Sequence, residues 1–167
     1  MITIRAGRQH EFGRLAEIEL DAFVVWAQAC GVSLEPAVAP VHLLQASLDQ
    51  GLLLVAEEGG RVLGFVLGSV VDGDLYVTEI DVERAAQGKG IGRALMLALL
   101  EKGRERGLIS ALLTTDRYAP FNAPFYSKLG FRILEKAETP AFLLERLEKQ
   151  VESGLDAGRR VAMRLGL

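Results

Sequence analysis

The chain has 167 residues, half of them hydrophobic and a quarter charged, which is enough apolar material to bury one continuous core. Its formal net charge of −3 gives no overall field toward nucleic acid or an anionic membrane, so we expect neither as a partner. The single cysteine, Cys30, excludes an intramolecular disulfide and a cysteine-rich zinc site, and we expect no metal.

The N-terminal residues indicate a protein that stays where it is made. Ile2 and Ile4 alternate with polar neighbours and predict a strand rather than a secretion signal. No apolar stretch approaches the roughly 20 residues that a membrane-spanning helix needs. We therefore expect a cytoplasmic protein.

Helical patterns follow the first strand. Residues 11–23 place their apolar side chains on one helical face, and residues 24–32 and 40–50 are predicted as two further helical pieces. The apolar run from Phe23 to Trp26 fits either a core or dimer contact or the wall of a substrate pocket.

The period changes to that of strands from residue 52. Strands are predicted at 52–57, 61–71 and 74–82, with glycine-containing turns at 58–60 and 72–73. The three strands should form an antiparallel meander.

The second half of the chain mixes helices and strands. Helices are predicted at 91–106, 123–129 and 140–152, and strands at 108–115, 131–134 and 160–165. Together with the meander, this order predicts a mixed α/β fold with a mostly antiparallel sheet of about six to seven strands flanked by helices, forming a single domain over residues 1–167.

Three glycines at alternate positions, Gly88, Gly90 and Gly92, separate the third meander strand from the strongest helix. A glycine backbone approaches an anion closely, and the start of a helix adds free N–H groups and a positive dipole end. A phosphate or pyrophosphate is the expected ligand, and Lys89 and Arg93 are available to add charge.

Two better-known phosphate loops fail on spacing. A Walker A loop would need glycine at Glu83 and a hydroxyl at Gly90. A dinucleotide fingerprint would need glycine at Arg93 or Leu95. A nucleotide-binding function is therefore disfavoured.

The segment Gln87-x-x-Gly90-x-Gly92 resembles the acetyl-CoA loop of the GNAT superfamily of N-acetyltransferases. The later segment Asn122…Phe125-Tyr126-x-Lys128-Leu129-Gly130-Phe131 resembles a second motif of that family. The resemblance implies acetyl-CoA as acetyl donor, a small-molecule or peptide amine as acceptor and a possible homodimer. It also implies a sheet splayed between strands 4 and 5, a cofactor-binding core at about 52–134 and a substrate side in the helices at about 11–50.

The resemblance assigns cofactor contacts as well. Main-chain groups of the third meander strand would pair with the pantetheine arm, the glycine loop would hold the pyrophosphate, and an asparagine would lie near the thiol end. These cofactor-binding residues are Ile80, Asp81, Val82, Gln87, Gly88, Lys89, Gly90, Ile91, Gly92, Arg93 and Asn122.

The transfer reaction needs a base for the amine and an acid for the departing thiol. Tyr126, whose phenol is neutral at pH 7, is the candidate acid, although an aromatic anchor for a short helix is the alternative. Strand alternation places Val77, Glu79 and Asp81 on one face, and Glu79 is the preferred base, acting through a water molecule. The two carboxylates otherwise form an exposed strand face or pair with Arg84.

Two further alternatives stay open. A non-catalytic acyl-CoA-binding module would need the glycine loop but would not need Tyr126 as a proton donor. The apolar tail at residues 161–165 offers a strand that could pair across a dimer interface.

Overall fold

A computed structural model describes residues 1–167, and its centre is one seven-stranded sheet with the strand order β1-β2-β3-β4-β5-β7-β6. All neighbouring strands are antiparallel except β4 and β5, which run parallel. The mixed, mostly antiparallel sheet predicted from the sequence is confirmed. The strands are β1 Thr3–Ala6, β2 Leu53–Glu58, β3 Arg61–Val71, β4 Asp74–Val82, β5 Ser110–Asp116, β6 Arg132–Ile133 and β7 Arg160–Gly166.

Five α-helices flank the sheet: α1 Phe12–Cys30, α2 Val41–Asp49, α3 Ile91–Glu105, α4 Ala123–Lys128 and α5 Ala141–Glu152. The prediction of a separate helical piece at 24–32 is wrong. Residues 23–30 contain no glycine or proline that would end a helix, so α1 continues without a break to Cys30. It ends at Gly31, whose φ of 66° is left-handed. None of the five helices is both long enough and apolar enough to cross a membrane.

The two faces of the sheet carry separate helix layers. Leu54 and Val66 face α3 and pack with Leu95 and Leu99, which lie on the buried side of that helix. Alternate residues of the same strands turn to the opposite face, where α1, α2 and α5 pack. Helix α3 and helices α1, α2 and α5 thus lie on opposite faces of one sheet.

The sheet opens between β4 and β5. The two strands pair only at Leu75–Ala111 and Tyr76–Leu112, so β4 leaves its parallel neighbour from residue 77 onward. The splay between strands 4 and 5 is present. Because β4 is still paired with β3 along this stretch, one edge of the strand stays open.

A β-bulge in β4 lies next to this opening. Glu79 pairs with Leu67 but Val77 pairs with Gly68, so Thr78 is the extra residue. The bulge reverses the alternation, and Val77 packs in the α3 layer with Ile80 instead of sharing a face with Glu79. The prediction that Val77 and the two carboxylates share a face is therefore wrong.

The C-terminal strand β7 lies inside the sheet. It is paired with β5 along its whole length and with β6 at two positions. The tail strand is thus not free to pair across a dimer interface as the sequence suggested. The sheet edges are β1 and the two-residue β6.

Candidate active site

A cavity of about 660 Å³ opens where β4 and β5 separate. It is lined by all of the residues that the sequence singled out for the site except Lys89, which is exposed outside it. A second depression of about 680 Å³ is lined mainly by charged side chains that already pair with one another, so it offers no free group. The splayed cavity is the candidate active site.

The glycine loop forms one end of the cavity. Gly88 and Gly90 have φ angles of 77° and 81°, a left-handed conformation that side chains disfavour. A Cβ added at either position would meet no atom within 4 Å, so no side chain fills the space beside the loop. Gly90 is the N-cap of α3 and no side chain caps the helix, which leaves N–H groups free for an anion.

The open edge of β4 forms the floor between the loop and the centre of the cavity. Glu83 N–H donates to the Leu63 carbonyl (2.9 Å), so by alternation Asp81 also faces β3 and the peptide groups of Ile80 and Val82 face the gap. The Val82 carbonyl accepts a hydrogen bond from Gln87 Nε2 (2.9 Å). The other peptide N–H and C=O groups of Ile80 and Val82 on this edge have no partner in the sheet.

Three carboxylates meet on the opposite side of the cavity. Oxygen atoms of Glu19, Glu79 and Asp81 all lie within 4.8 Å of one another. Burial, followed by the charge of Glu19, raises the pKa of Glu79 to about 7. Burial and the charge of Glu79 raise the pKa of Asp81 well above its usual range. The pair therefore retains a proton near neutral pH.

This cluster resolves the alternatives that the sequence left for the two β4 carboxylates. Glu79 and Asp81 are not a freely exposed strand face, and Asp81 Oδ2 is buried without a hydrogen-bond partner. Arg84 does not pair with either of them, because its guanidinium binds Asp21 at 2.8 Å.

Tyr126 is buried beside the carboxylates and also lines the cavity. Its ring contacts Phe125 and Phe131, with centroid distances of 5.2 and 5.9 Å, and its hydroxyl makes no hydrogen bond within the chain. Burial raises the pKa of Tyr126, and the negative charges of Glu79 and Asp81 raise it further. The phenol is thus a fixed, neutral donor that faces the cavity.

Asn122 lies at the start of α4 and positions this short helix. Its backbone carbonyl accepts from Tyr126 N–H (3.0 Å), while its side-chain Oδ1 is buried and has no partner. A buried amide oxygen without a donor costs free energy, so a ligand donor in the cavity would satisfy it.

The sequence did not identify several of the cavity's charged residues. Glu19 comes from α1 and Arg160 from the start of β7, far from the glycine loop along the chain. Neither lies in a motif, so no local signal marked them. Phe23, Val25 and Trp26 also line the cavity, which favours the pocket-wall interpretation of that apolar run.

Cys30 lies outside this cavity, near Asp116 and Arg159. Burial and the neighbouring carboxylate raise the pKa of the Cys30 thiol to about 11. The neutral thiol is a poor nucleophile at pH 7.

Residues 14–131 match the acetyltransferase (GNAT) family model. Among curated proteins, a mycothiol acetyltransferase of Nocardia farcinica is 44% identical over 89 residues, which cover 48% of this chain and 29% of that protein. A mycothiol acetyltransferase of Pseudarthrobacter chlorophenolicus is 37% identical over 89 residues, covering 48% of this chain and 27% of that protein. The chain thus spans less than a third of the length of these two relatives.

Solved structures match over the whole chain. The PaiA N-acetyltransferase from Thermoplasma acidophilum in complex with coenzyme A superposes with a TM-score of 0.76 at 17% identity, covering 100% of this chain and 99% of that chain. The ribosomal-protein-alanine N-acetyltransferase from Brucella melitensis superposes with a TM-score of 0.67 at 19% identity, covering 99% of each chain. At these identities the likeness concerns the fold.

Proposed function

The chain belongs to the GNAT acetyltransferase family, and we propose on that premise that it transfers the acetyl group of acetyl-CoA directly to a primary amine. One observation carries the proposal. A single cavity joins a glycine loop at a helix start, an open strand edge, a half-buried carboxylate with a pKa of about 7 and a buried phenol.

Acetyl-CoA is the acetyl donor, and the chain supplies groups along its length. The N–H groups of residues 88–93 bind the pyrophosphate, and the exposed side chains of Lys89 and Arg93 add positive charge at the rim. The free peptide groups of Ile80 and Val82 pair with the pantetheine arm as an added strand would. Asn122 Oδ1 accepts from an N–H of the cofactor near its thiol end.

Glu79 acts as the general base. A primary amine has an ordinary pKa of roughly 10, so it arrives as ammonium and must lose a proton before its nitrogen can attack. Glu79 is ionised in a large fraction of molecules at neutral pH and basic enough to take that proton, directly or through a water molecule. The neutral nitrogen then bonds to the thioester carbonyl carbon.

Tyr126 acts as the general acid when the C–S bond breaks. Its hydroxyl donates a proton to the departing sulfur, so that CoA leaves as the thiol. The charge of Glu79 raises the pKa of Tyr126, and that charge disappears once Glu79 has taken a proton from the amine. Uptake of the first proton thus makes Tyr126 a better acid for the second step.

The acceptor enters from the side of α1, where Phe23, Val25 and Trp26 form an apolar wall. Residues 52–134 then hold the cofactor, and residues 11–50 contribute the substrate side. The acceptor is a small molecule or a peptide amine.

The test is an acetyl-transfer assay with the purified protein, acetyl-CoA and a panel of primary amines. The release of the CoA thiol is measured over time. We expect amine-dependent CoA release and a mass increase of one acetyl group on the accepted amine. A protein that binds acetyl-CoA but acetylates no amine would instead be an acyl-CoA-binding module, and the proposal would be wrong.

A further inference from the structure

The cavity has a positively charged wall as well as its carboxylates. Arg146 from α5 and Arg160 from β7 both line it. Neither guanidinium has a carboxylate within 4.0 Å, and no step of the transfer reaction described above uses them.

Arg160 is unusual among the arginines of this chain. The other arginines that are at least partly buried all have carboxylate partners: Arg5 with Glu11 and Glu57, Arg14 with Glu83, Arg159 with Asp116 and Arg164 with Asp74. A charge removed from water is costly unless an opposite charge compensates it. Arg160 is therefore half-buried without a carboxylate paired directly to it.

A relay of side chains holds Arg160 in place. Its Nε donates to Gln150 Oε1 (3.0 Å), and Gln150 Nε2 donates to Thr114 Oγ1 (3.0 Å). This leaves both Nη groups of Arg160 without an acceptor in the chain. Two parallel N–H donors match the two oxygens of a carboxylate.

Arg146 adds a second, more exposed positive charge. Its guanidinium carbon lies 5.2 Å from the centroid of the Tyr76 ring, which keeps the side chain beside the cavity. Arg146 and Arg160 both oppose the raised pKa of Glu79, and Arg160 also opposes that of Tyr126. The positive wall is thus within electrostatic range of the acid and the base.

We propose that Arg160, supported by Arg146, binds a carboxylate on the acceptor, so that the acceptor is an amine that also carries a carboxylate, as a free amino acid does. The acceptor's carboxylate supplies the missing counter-ion of Arg160, while its ammonium group faces Glu79 and Asp81. The inference rests on the proposed function, because it concerns the acceptor of that reaction.

The test compares matched acceptors in the acetyl-transfer assay with the full-length protein. Each free amino acid is paired with its own carboxamide, which has the same amine and side chain but no carboxylate. We expect the carboxylate form to have a kcat/KM at least about tenfold higher, the effect of a charge-assisted bidentate contact.

Arg160→Gln should raise the KM of the carboxylate acceptors about tenfold or more and change the kinetics of the carboxamides by less than about threefold. Arg132→Gln is the matched control, since it removes the same charge from an exposed residue on the far edge strand. The thermal midpoints of both variants show whether the fold is kept.

Several results would overturn this assignment. The first is equal turnover of the two acceptors of each pair. The second is a preference for a phosphate-bearing amine such as phosphoethanolamine, and the third is turnover only of amines that carry no acidic group. An equal loss for both acceptor forms in Arg160→Gln, with a shifted pH profile, would assign Arg160 to tuning Glu79 instead. Failure of the proposed function is recognised separately, by the absence of acetyl-CoA binding or of any amine acetylation.

Discussion

At the scale of single residues, burial raises the pKa of both Glu79 and Tyr126, but the chemical consequences of the two shifts differ. It brings the pKa of Glu79 to about 7, where a base is both available and strong enough. It keeps the Tyr126 phenol protonated, so a donor is always present. In the proposed mechanism, the coupling between the two groups would order the proton transfers.

Glu79→Gln should lower kcat/KM by roughly two orders of magnitude, because the amine loses its base. A base acts only when deprotonated, so wild-type activity should rise as the pH rises through about 7. That inflection should be missing from the variant's pH profile. Glu148→Gln, which changes an exposed carboxylate on α5, should behave as wild type. An unchanged pH profile in Glu79→Gln would contradict the role of Glu79.

Tyr126→Phe should reduce kcat by about a hundredfold while leaving the dissociation constant of acetyl-CoA unchanged, because only the proton donor is lost. The ring contacts with Phe125 and Phe131 remain in the variant. Tyr118→Phe, at an exposed tyrosine outside the cavity, is the control. Equal turnover by Tyr126→Phe and wild type would reduce Tyr126 to an aromatic anchor for α4.

At the scale of elements, the site depends on β4 being paired on one side only. Its hydrogen bonds to β3 fix the strand, and its separation from β5 after Tyr76 leaves Ile80 and Val82 with free peptide groups. The bulge at Thr78 then turns Glu79 and Asp81 to the face that carries α1. Strand pairing thus positions both the strand edge proposed for the cofactor and the proposed base Glu79.

Acetyl-CoA should slow amide hydrogen exchange at Ile80 and Val82, because the pantetheine arm supplies acceptors for these N–H groups. Exchange on β3 at Phe65 and Leu67, which are already paired, should change little. Hydrogen exchange followed by mass spectrometry, with and without acetyl-CoA, makes the comparison. Equal slowing along both strands, or none on β4, would contradict the assigned pantetheine path.

The sequence predicted most elements because glycine turns separate them. Strands 61–71 and 74–82 were located to the residue, since the turn at Asp72 and Gly73 marks their ends. The bulge at Thr78 was not predictable, because it arises from register against β3 and leaves no mark in the local pattern. The length of α1 was underestimated, since only Gly31 ends it.

At the scale of the whole molecule, α1 is fastened to the end of β4. Arg14 pairs with the buried Glu83 and donates to the Val62 carbonyl (3.0 Å), and Asp21 binds Arg84. These contacts lie just before the glycine loop, so the helix that supplies Glu19 is held at a fixed position relative to that loop. The α1 wall of the cavity is therefore tied directly to the end of β4.

Arg14→Ala should lower the free energy of unfolding by about 3 kcal/mol, because it leaves the buried Glu83 with only the exposed Arg61. Arg104→Ala removes an exposed ion pair with Glu101 and should cost less than about 1 kcal/mol. Urea unfolding of both variants gives the two values. Similar losses would mean that the Arg14–Glu83 contact contributes little to holding α1.

The charged residues Glu19 and Arg160 show why the site was only partly predictable. The two motifs located the glycine loop and Tyr126, because the residues of each motif are close together in the chain. Glu19 and Arg160 reach the same cavity from either end of the sequence, and β7 does so by inserting between β5 and β6. Such placement follows from tertiary packing rather than from local pattern.

The central claim is that the glycine loop at the start of α3 binds acetyl-CoA, and isothermal titration with acetyl-CoA, ATP and NAD tests it most directly. Gly90→Ala should weaken acetyl-CoA binding about tenfold or more, since a Cβ enters the space for the pyrophosphate. Gly107→Ala imposes a similar left-handed strain at the other end of α3 and should bind normally. Selective acetyl-CoA binding with this difference between the variants is the predicted result. Absence of acetyl-CoA binding, or equal binding of ATP, would contradict the claim.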